Sequence, residues 1–295
     1  MLRLLLFMFI SAWWILPAYG QDKEKVACYS VPRTTESFKR KLWDGYEISL
    51  GPARNGSGGD GDDCTAAIYS SGGKVVFRTT GFGVIFDQDQ TGKDIDGDGK
   101  PEVVFMTDQG GGAHCCWVYN VVSLAPRPHK LFDVGEGGRV DFAKDKDGKT
   151  IVWERISGTH ALTSEAQAPY AERVFRVLGG KLVDATPDFC SRIFSAGNED
   201  YETWNLALTP EKIDKLHSAE KVLATSKEID VEDTVSALLS RAQQRVLCHQ
   251  YDEALADLNL WPQSSRTAMK GNFAESIKSY SPEFAARLLG NSESK

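Results

Sequence analysis

The chain has 295 residues, 41% of them apolar and 25% charged, with 41 acidic against 34 basic side chains and a formal charge of −7. Aromatic and branched residues recur along most of its length, which excludes wholesale disorder and provides for a real core. The acidic balance excludes a nucleic-acid footprint and gives little attraction to an anionic membrane surface.

Residues 1–20 carry Arg3, an apolar run from Leu4 to Leu16, the breaker Pro17, and Ala18-Tyr19-Gly20 as an A-x-G cleavage pattern. This is the anatomy of a secretory signal peptide, with cleavage expected after Gly20. The apolar run of about thirteen residues is short of the roughly 18–20 that a spanning helix needs. Cys28 is separated from that run by Asp22-Lys23-Glu24-Lys25, which argues against a lipid-anchored cysteine. No later stretch is apolar for eighteen residues, so the expectation is a secreted or periplasmic protein with no membrane span after cleavage. All six cysteines (Cys28, Cys64, Cys115, Cys116, Cys190 and Cys248) lie beyond the leader. An even number in an exported chain argues for disulfides, although six cysteines allow fifteen pairings.

From about residue 26 to 190, short strand-like runs alternate with Gly- and Asp-rich turns. Hairpins are expected over 67–69 with 74–78, over 130–134 with 139–142, and over 173–178 with 181–185; a strand over 150–154 follows the turn 145–148. Gly179-Gly180 suits a two-residue primed turn. Repeated hairpins without helical period between them predict an antiparallel meander, either a sandwich or a partial propeller, over residues 21–195. The segment 53–63 is rich in Gly, Asp and Ser and is expected to be a mobile loop.

Beyond residue 195 the punctuation becomes helical. Thr209-Pro210-Glu211 and Ser281-Pro282-Glu283 each place a capping residue, a proline and an acid in the order that starts a helix. Residues 230–249 carry Val231, Val235, Leu238, Leu239, Ala242 and Val246 at helical spacing, and 251–260 follow before Pro262. A small helical domain over 196–295 is expected. The run 251–258 resembles the second helix of a tetratricopeptide repeat, but stacking needs about three such units and no period is visible.

The most informative segment is Asp94-Ile95-Asp96-Gly97-Asp98-Gly99-Lys100-Pro101-Glu102. Carboxylates fall at positions 1, 3, 5 and 9, and the Lys100 carbonyl is available at position 7. Alternating Asp residues on a glycine-permitted bend can converge the six to eight oxygens that Ca2+ requires. An EF-hand would place a Glu at position 12, which is Phe105, and would continue as a helix; Val103-Val104-Phe105-Met106 reads as a strand instead. Over residues 92–106 the segment resembles the FG-GAP/VCBS-type calcium loop of integrin-like β-propellers and related secreted bacterial repeats. That resemblance implies a Ca2+ site formed by Asp94, Asp96, Asp98, Lys100 and Glu102 in a loop joining two strands. The segment 143–151, with Asp145, Asp147 and Gly148, is at best a degenerate second copy.

Gly110-Gly111-Gly112-Ala113-His114-Cys115-Cys116-Trp117 is similar to a segment of secreted bacterial proteins that also carry FG-GAP-like loops and a helical stretch ending in Trp-Pro, as Leu260-Trp261-Pro262 does here. That resemblance implies no activity. Adjacent cysteines on a strand face opposite sides and could each reach a distant partner; they could pair with each other; or His114, Cys115 and Cys116 could hold a soft metal or act as a redox or catalytic group. No hydrolase elbow, zincin, Walker or dinucleotide motif is present. Glu154, Asp141 and Glu136 are the acids a glycosidase pair would draw on, and Trp117 and Trp153 are core candidates or sugar platforms. The reading is therefore an exported, calcium-binding β protein with a binding or scaffolding role toward an unidentified protein or glycan, with no assigned catalysis. A periplasmic enzyme or soft-metal protein and a carbohydrate-binding module are the alternatives.

Overall fold

The computed structural model describes residues 26–29, 37–53, 64–108, 110, 117–135, 139–157, 168–195, 209–218 and 229–290. The leader, the segment 54–63 and the trio His114, Cys115 and Cys116 lie outside the described residues, and so do Glu136 and His160.

After the short β1 (Ala27–Tyr29), the chain makes three successive four-stranded antiparallel meanders. The first comprises β2 (Phe38–Lys41), β3 (Glu47–Pro52), β4 (Cys64–Tyr69) and β5 (Val75–Gly81). The second comprises β6 (Gly83–Phe86), β7 (Glu102–Asp108), β8 (Trp117–Ser123) and β9 (His129–Val134), with β1 added at its β6 edge. The third comprises β10 (Val140–Lys144), β11 (Thr150–Ser157), β12 (Tyr170–Leu178) and β13 (Lys181–Asp184). The fold is thus mainly β, built from hairpins as the turn pattern predicts, and the sheets do not close into a barrel.

The three sheets stack face to face. Successive side chains of a strand point to opposite faces, and β7 uses both. Val103 and Phe105 pack toward the first sheet with Ile48, Leu50 and Ile68. Val104 packs toward the third sheet with Val121, Val152 and Phe175. A strand buried on both faces needs no polar alternation, which accounts for the continuous apolar run after the acidic loop. Each such fully buried side chain contributes roughly 1.5–3 kcal/mol.

Crossings between sheets fall where the sequence is glycine-rich. Gly81 ends β5 and Gly83 begins β6; a Cβ at Gly81 would meet the Asp108 carbonyl oxygen at 2.4 Å, so only glycine lets the chain pass there. A disulfide between Cys28 on β1 and Cys64 on β4 ties the first two sheets together. One expected hairpin is corrected by this crossing pattern. Residues 130–134 and 139–142 do not pair: β9 pairs with β8, and β10 pairs with β11. Phe132, Val134 and Val140 are all apolar residues of the seam between the second and third sheets, so the chain changes sheet there instead of folding back.

The outer face of the third sheet is covered by α1 (Thr186–Phe194), whose Phe189 and Ile193 pack on Ile151, Trp153 and Val174. Four further helices and a long central one follow: α2 (Pro210–Ser218), α3 (Ile229–Leu247), α4 (Tyr251–Leu258), α5 (Arg266–Ile277) and α6 (Pro282–Leu288). They share a separate core that includes Leu216, Leu239, Leu258, Phe273 and Phe284. Thr209 caps α2 as expected, its Oγ1 accepting the Lys212 N–H at 3.3 Å. Ser281 does not cap α6: its Oγ is buried and makes no hydrogen bond. A second disulfide, Cys190–Cys248, joins α1 to the end of α3 and so ties the helices to the sheet stack. No described helix is long and apolar enough to cross a membrane.

Candidate metal centre

The loop between β6 and β7 is closed at its neck by two backbone hydrogen bonds to one residue, from the Gly92 N–H to the Glu102 carbonyl and from the Glu102 N–H to the Lys93 carbonyl. Inside the neck the chain turns through Gly97 and Gly99, at φ of 82° and 84°, a region that L side chains rarely adopt. The bend points loop N–H groups inward at carboxylates. Asp94 accepts from the Gly97 N–H at 2.7 Å and from the Gly99 N–H at 3.0 Å, and Asp96 accepts from the Asp98 N–H at 3.0 Å.

Carboxylate oxygens of Asp94, Asp96 and Glu102 lie within 4.8 Å of one another. Glu102 is the decisive member. It opens β7, is 0% exposed, and uses Oε2 to accept the Ile95 N–H at 2.6 Å. Its other oxygen, Oε1, is buried with no hydrogen-bond partner. Burial, opposed by the backbone N–H groups of Ile95 and Asp96 and reinforced by the charges of Asp96 and Asp94, pushes its carboxyl up to about 7. A buried carboxylate with one orphaned oxygen, clustered with two further carboxylates, is costly as it stands, and a cation would relieve it. The donors are all oxygen, which suits a hard divalent ion.

The loop is anchored to the third sheet. Ile95, between the two aspartates, is 3% exposed and packs in the seam with Val104, Phe132 and Val152. The Lys144 ammonium on β10 donates to the Asp94 carbonyl at 3.0 Å and to Thr150 Oγ1 at 2.8 Å. A Cβ on Gly180, in the β12–β13 turn, would lie 3.7 Å from Asp96 Oδ2. Sequence spacing finds the carboxylates but not Ile95, Lys144 or Gly180, because their roles come from strand pairing far along the chain. Ile95 alone carried a local signal, as one apolar residue in an otherwise polar loop.

Of the five residues expected at the site, Asp94, Asp96 and Glu102 converge. Asp98 lies outside that cluster and is exposed, its Oδ1 accepting the Lys100 N–H at 2.8 Å and its Oδ2 3.9 Å from the Lys100 ammonium. The degenerate second copy is an ordinary hairpin turn. Asp145 accepts the Asp147 and Lys149 N–H groups and lies 3.7 Å from Arg176. Those partners hold its carboxyl below the usual range.

Among the described residues, the other candidate acids Glu154 and Asp141 are held in separate interactions. Glu154 is buried and holds the Gly135 N–H at 2.9 Å, whereas half-buried Asp141 pairs with Arg139 at 2.7 Å. Trp153 is buried against Phe189 and Arg192, a core residue and no sugar platform. His217 Nε2 sits 2.9 Å from the Leu260 carbonyl, and His249 packs beside Tyr251. Among the described residues no cysteine is free. Comparison of the chain with protein families, curated proteins and solved structures returns no match, so the resemblance to FG-GAP-type loops rests on residues 92–106 alone.

Proposed function

We propose that this is an exported protein, secreted or periplasmic, whose β stack is stabilised by one Ca2+ ion held in the loop 94–102 and which serves a binding or scaffolding role at the cell envelope. The observation that carries the metal reading is Glu102: a fully buried carboxylate with one orphaned oxygen, clustered with the carboxylates of Asp94 and Asp96. Asp94, Asp96 and Glu102 would hold the ion, and Asp98 and the Lys100 carbonyl would complete the set on closure of the loop. The ion would neutralise the carboxylates and fix the start of β7. Because Ile95 and Lys144 couple the loop to the third sheet, its effect would reach the seam between two sheets. The two described disulfides are consistent with an oxidising compartment, which supports export.

Thermal unfolding of the full chain with millimolar Ca2+ and with EDTA tests the proposal. A ligand bound only by the native state stabilises by RT ln(1 + [Ca]/Kd), about 2.7 kcal/mol at a hundredfold excess over Kd. A rise in Tm that disappears in Asp96→Ala and Glu102→Gln supports a structural calcium site. An unchanged Tm at any Ca2+ concentration sinks it.

A further inference from the structure

The first sheet packs the middle sheet with one face only, through Ile48, Leu50, Ala66 and Ile68. Its other face has no covering element among the described residues, and the register fixes what that face presents. Lys39 pairs with Ser49, Ser49 with Ala67, and Ala67 with Arg78, so these four residues form one row across β2, β3, β4 and β5. The next row along the strands is Gly51, Thr65 and Thr80. On the other side lie Lys41, Glu47 and Tyr69.

In its middle the central strands therefore carry the small residues Ser49, Gly51, Thr65 and Ala67, flanked by the cations Lys39 and Lys41 on β2 and Arg78 on β5. The result is a trough of about 1040 Å3 running along β3 and β4. Its floor is deep, with Ala67 only 3% exposed. Its walls are Lys39 and Lys41 on β2 and Arg78 on β5, about 14 Å apart at a strand spacing of about 4.8 Å. Glu47 is the one acid among the described lining residues, 3.9 Å from Lys39. A net positive trough on a chain of formal charge −7 departs from the rest of the surface and complements an anion.

We infer that this trough binds a single extended chain of an acidic polysaccharide. Serine and threonine hydroxyls on the floor match sugar hydroxyls, Tyr69 offers a ring at one end, and cations on both walls match carboxylates or sulfates on either side of the chain. An acidic peptide could also meet the cations, but the small hydroxyl-bearing floor of Ser49, Thr65 and Thr80 suits a hydroxyl-rich sugar chain better than peptide side chains. The inference gives a ligand class to the binding role proposed above and rests on that role; it does not use the metal loop.

The test is calorimetric titration of the full chain, made in an oxidising compartment, with a chondroitin sulfate hexasaccharide at low salt. Maltohexaose is the neutral control and poly-glutamate the acidic-peptide control. Binding of the hexasaccharide is expected, weakening as salt rises, with at least about a fivefold loss in Lys39→Ala and in Arg78→Ala and no measurable binding in the double variant. Both side chains are exposed, so circular dichroism should show unchanged folding. No binding of the hexasaccharide overturns the inference, as does equal binding by the double variant. Tighter binding of poly-glutamate through the same two residues also overturns it, in favour of an acidic protein partner. Calcium-dependent melting in the same samples reads the metal proposal separately, so failure of one is distinguishable from failure of the other.

Discussion

The side-chain amide of Gln244 on α3 engages both polar groups of the Glu172 backbone: Oε1 accepts the Glu172 N–H at 2.7 Å, and Nε2 donates to the Glu172 carbonyl at 3.0 Å. β13 pairs only with Phe175–Leu178 of β12, leaving the preceding part of that edge without a strand. Ser240 Oγ, one helical turn before Gln244, takes the Tyr170 N–H at 3.0 Å, and Thr186 Oγ1 takes the Val174 N–H at 2.9 Å. Helical side chains thus satisfy the backbone groups that a further strand would have paired, and a bare edge open to association is covered.

Replacing Gln244 by Leu keeps the volume and removes both partners of Glu172. Gln244 is 1% exposed, so the orphaned N–H and C=O cannot recruit water freely. A loss of about 2–4 kcal/mol is expected, read as a lower denaturation midpoint with an unchanged slope. A loss below about 0.5 kcal/mol would mean that the amide is not needed to seal the edge.

Glu102 makes the stability of the metal-free protein depend on pH. Its carboxyl is raised from 4.5 to about 7 in the folded chain, so between those values the native state holds a proton that the unfolded state has released. The stability this contributes is fully present below pH 4.5 and is lost as pH rises through about 7. For a rise of that size the loss is on the order of 3 kcal/mol. Melting in EDTA from pH 4.5 to 7.5 should show this contribution vanish in Glu102→Gln, whose amide oxygen still accepts the Ile95 N–H. Calcium should restore stability most at the high-pH end and release about one proton on binding near pH 6.

Much of the architecture was legible because it is local. Gly179-Gly180 marks a hairpin that forms as read, the 145–148 turn leads into the expected strand over 150–154, and Thr209-Pro210 marks a helix start with its cap in place. The misplaced pair 130–134 with 139–142 shows the limit. Both segments are good strands, but their partners were decided by the seam that buries Phe132, Val134 and Val140, and no short-range signal encodes that choice. Helices α1 and α5 were missed for different reasons. α1 follows directly on a strand, and α5 holds Gly271 and Asn272 within an irregular apolar pattern. In the loop, spacing identified Asp94, Asp96 and Glu102. It could not tell that Asp98 would turn outward to Lys100, because the side-chain direction depends on the φ of the two flanking glycines.

Ile95 tests whether the loop and the seam are one unit. Truncation to Ala leaves a cavity among Val104, Phe132 and Val152, at an expected cost of about 2–4 kcal/mol. The Ile95 N–H holds Glu102 Oε2, so a loosened residue 95 also loosens the carboxylate it orients. The expected outcome is a lower Tm in EDTA together with at least a several-fold weaker Ca2+ response. A lower Tm with an unchanged Ca2+ affinity would separate the loop from the seam.

The Cys190–Cys248 disulfide closes a loop of 58 residues between the helix covering the third sheet and the helix whose amide seals β12. In the chain-entropy account, removing a crosslink of that span costs about 4 kcal/mol, and measured losses commonly fall between 2 and 5. The double variant Cys190→Ser, Cys248→Ser should therefore lower the denaturation midpoint well beyond either surface substitution in the trough. Gln244 Nε2 also lies 3.9 Å from Cys248 Sγ, but the bonds that Ser240 and Gln244 accept come from the Tyr170 and Glu172 backbone, so the folded protein at low temperature should keep its hydrogen-exchange protection at those two residues. Loss of protection there at low temperature would instead mean that the disulfide, and not the polar seal on β12, holds the helical unit against the sheets. Combining the double variant with Gln244→Leu decides between these two accounts: additive losses mark independent ties, and a combined loss much greater than the sum marks two ties that substitute for one another.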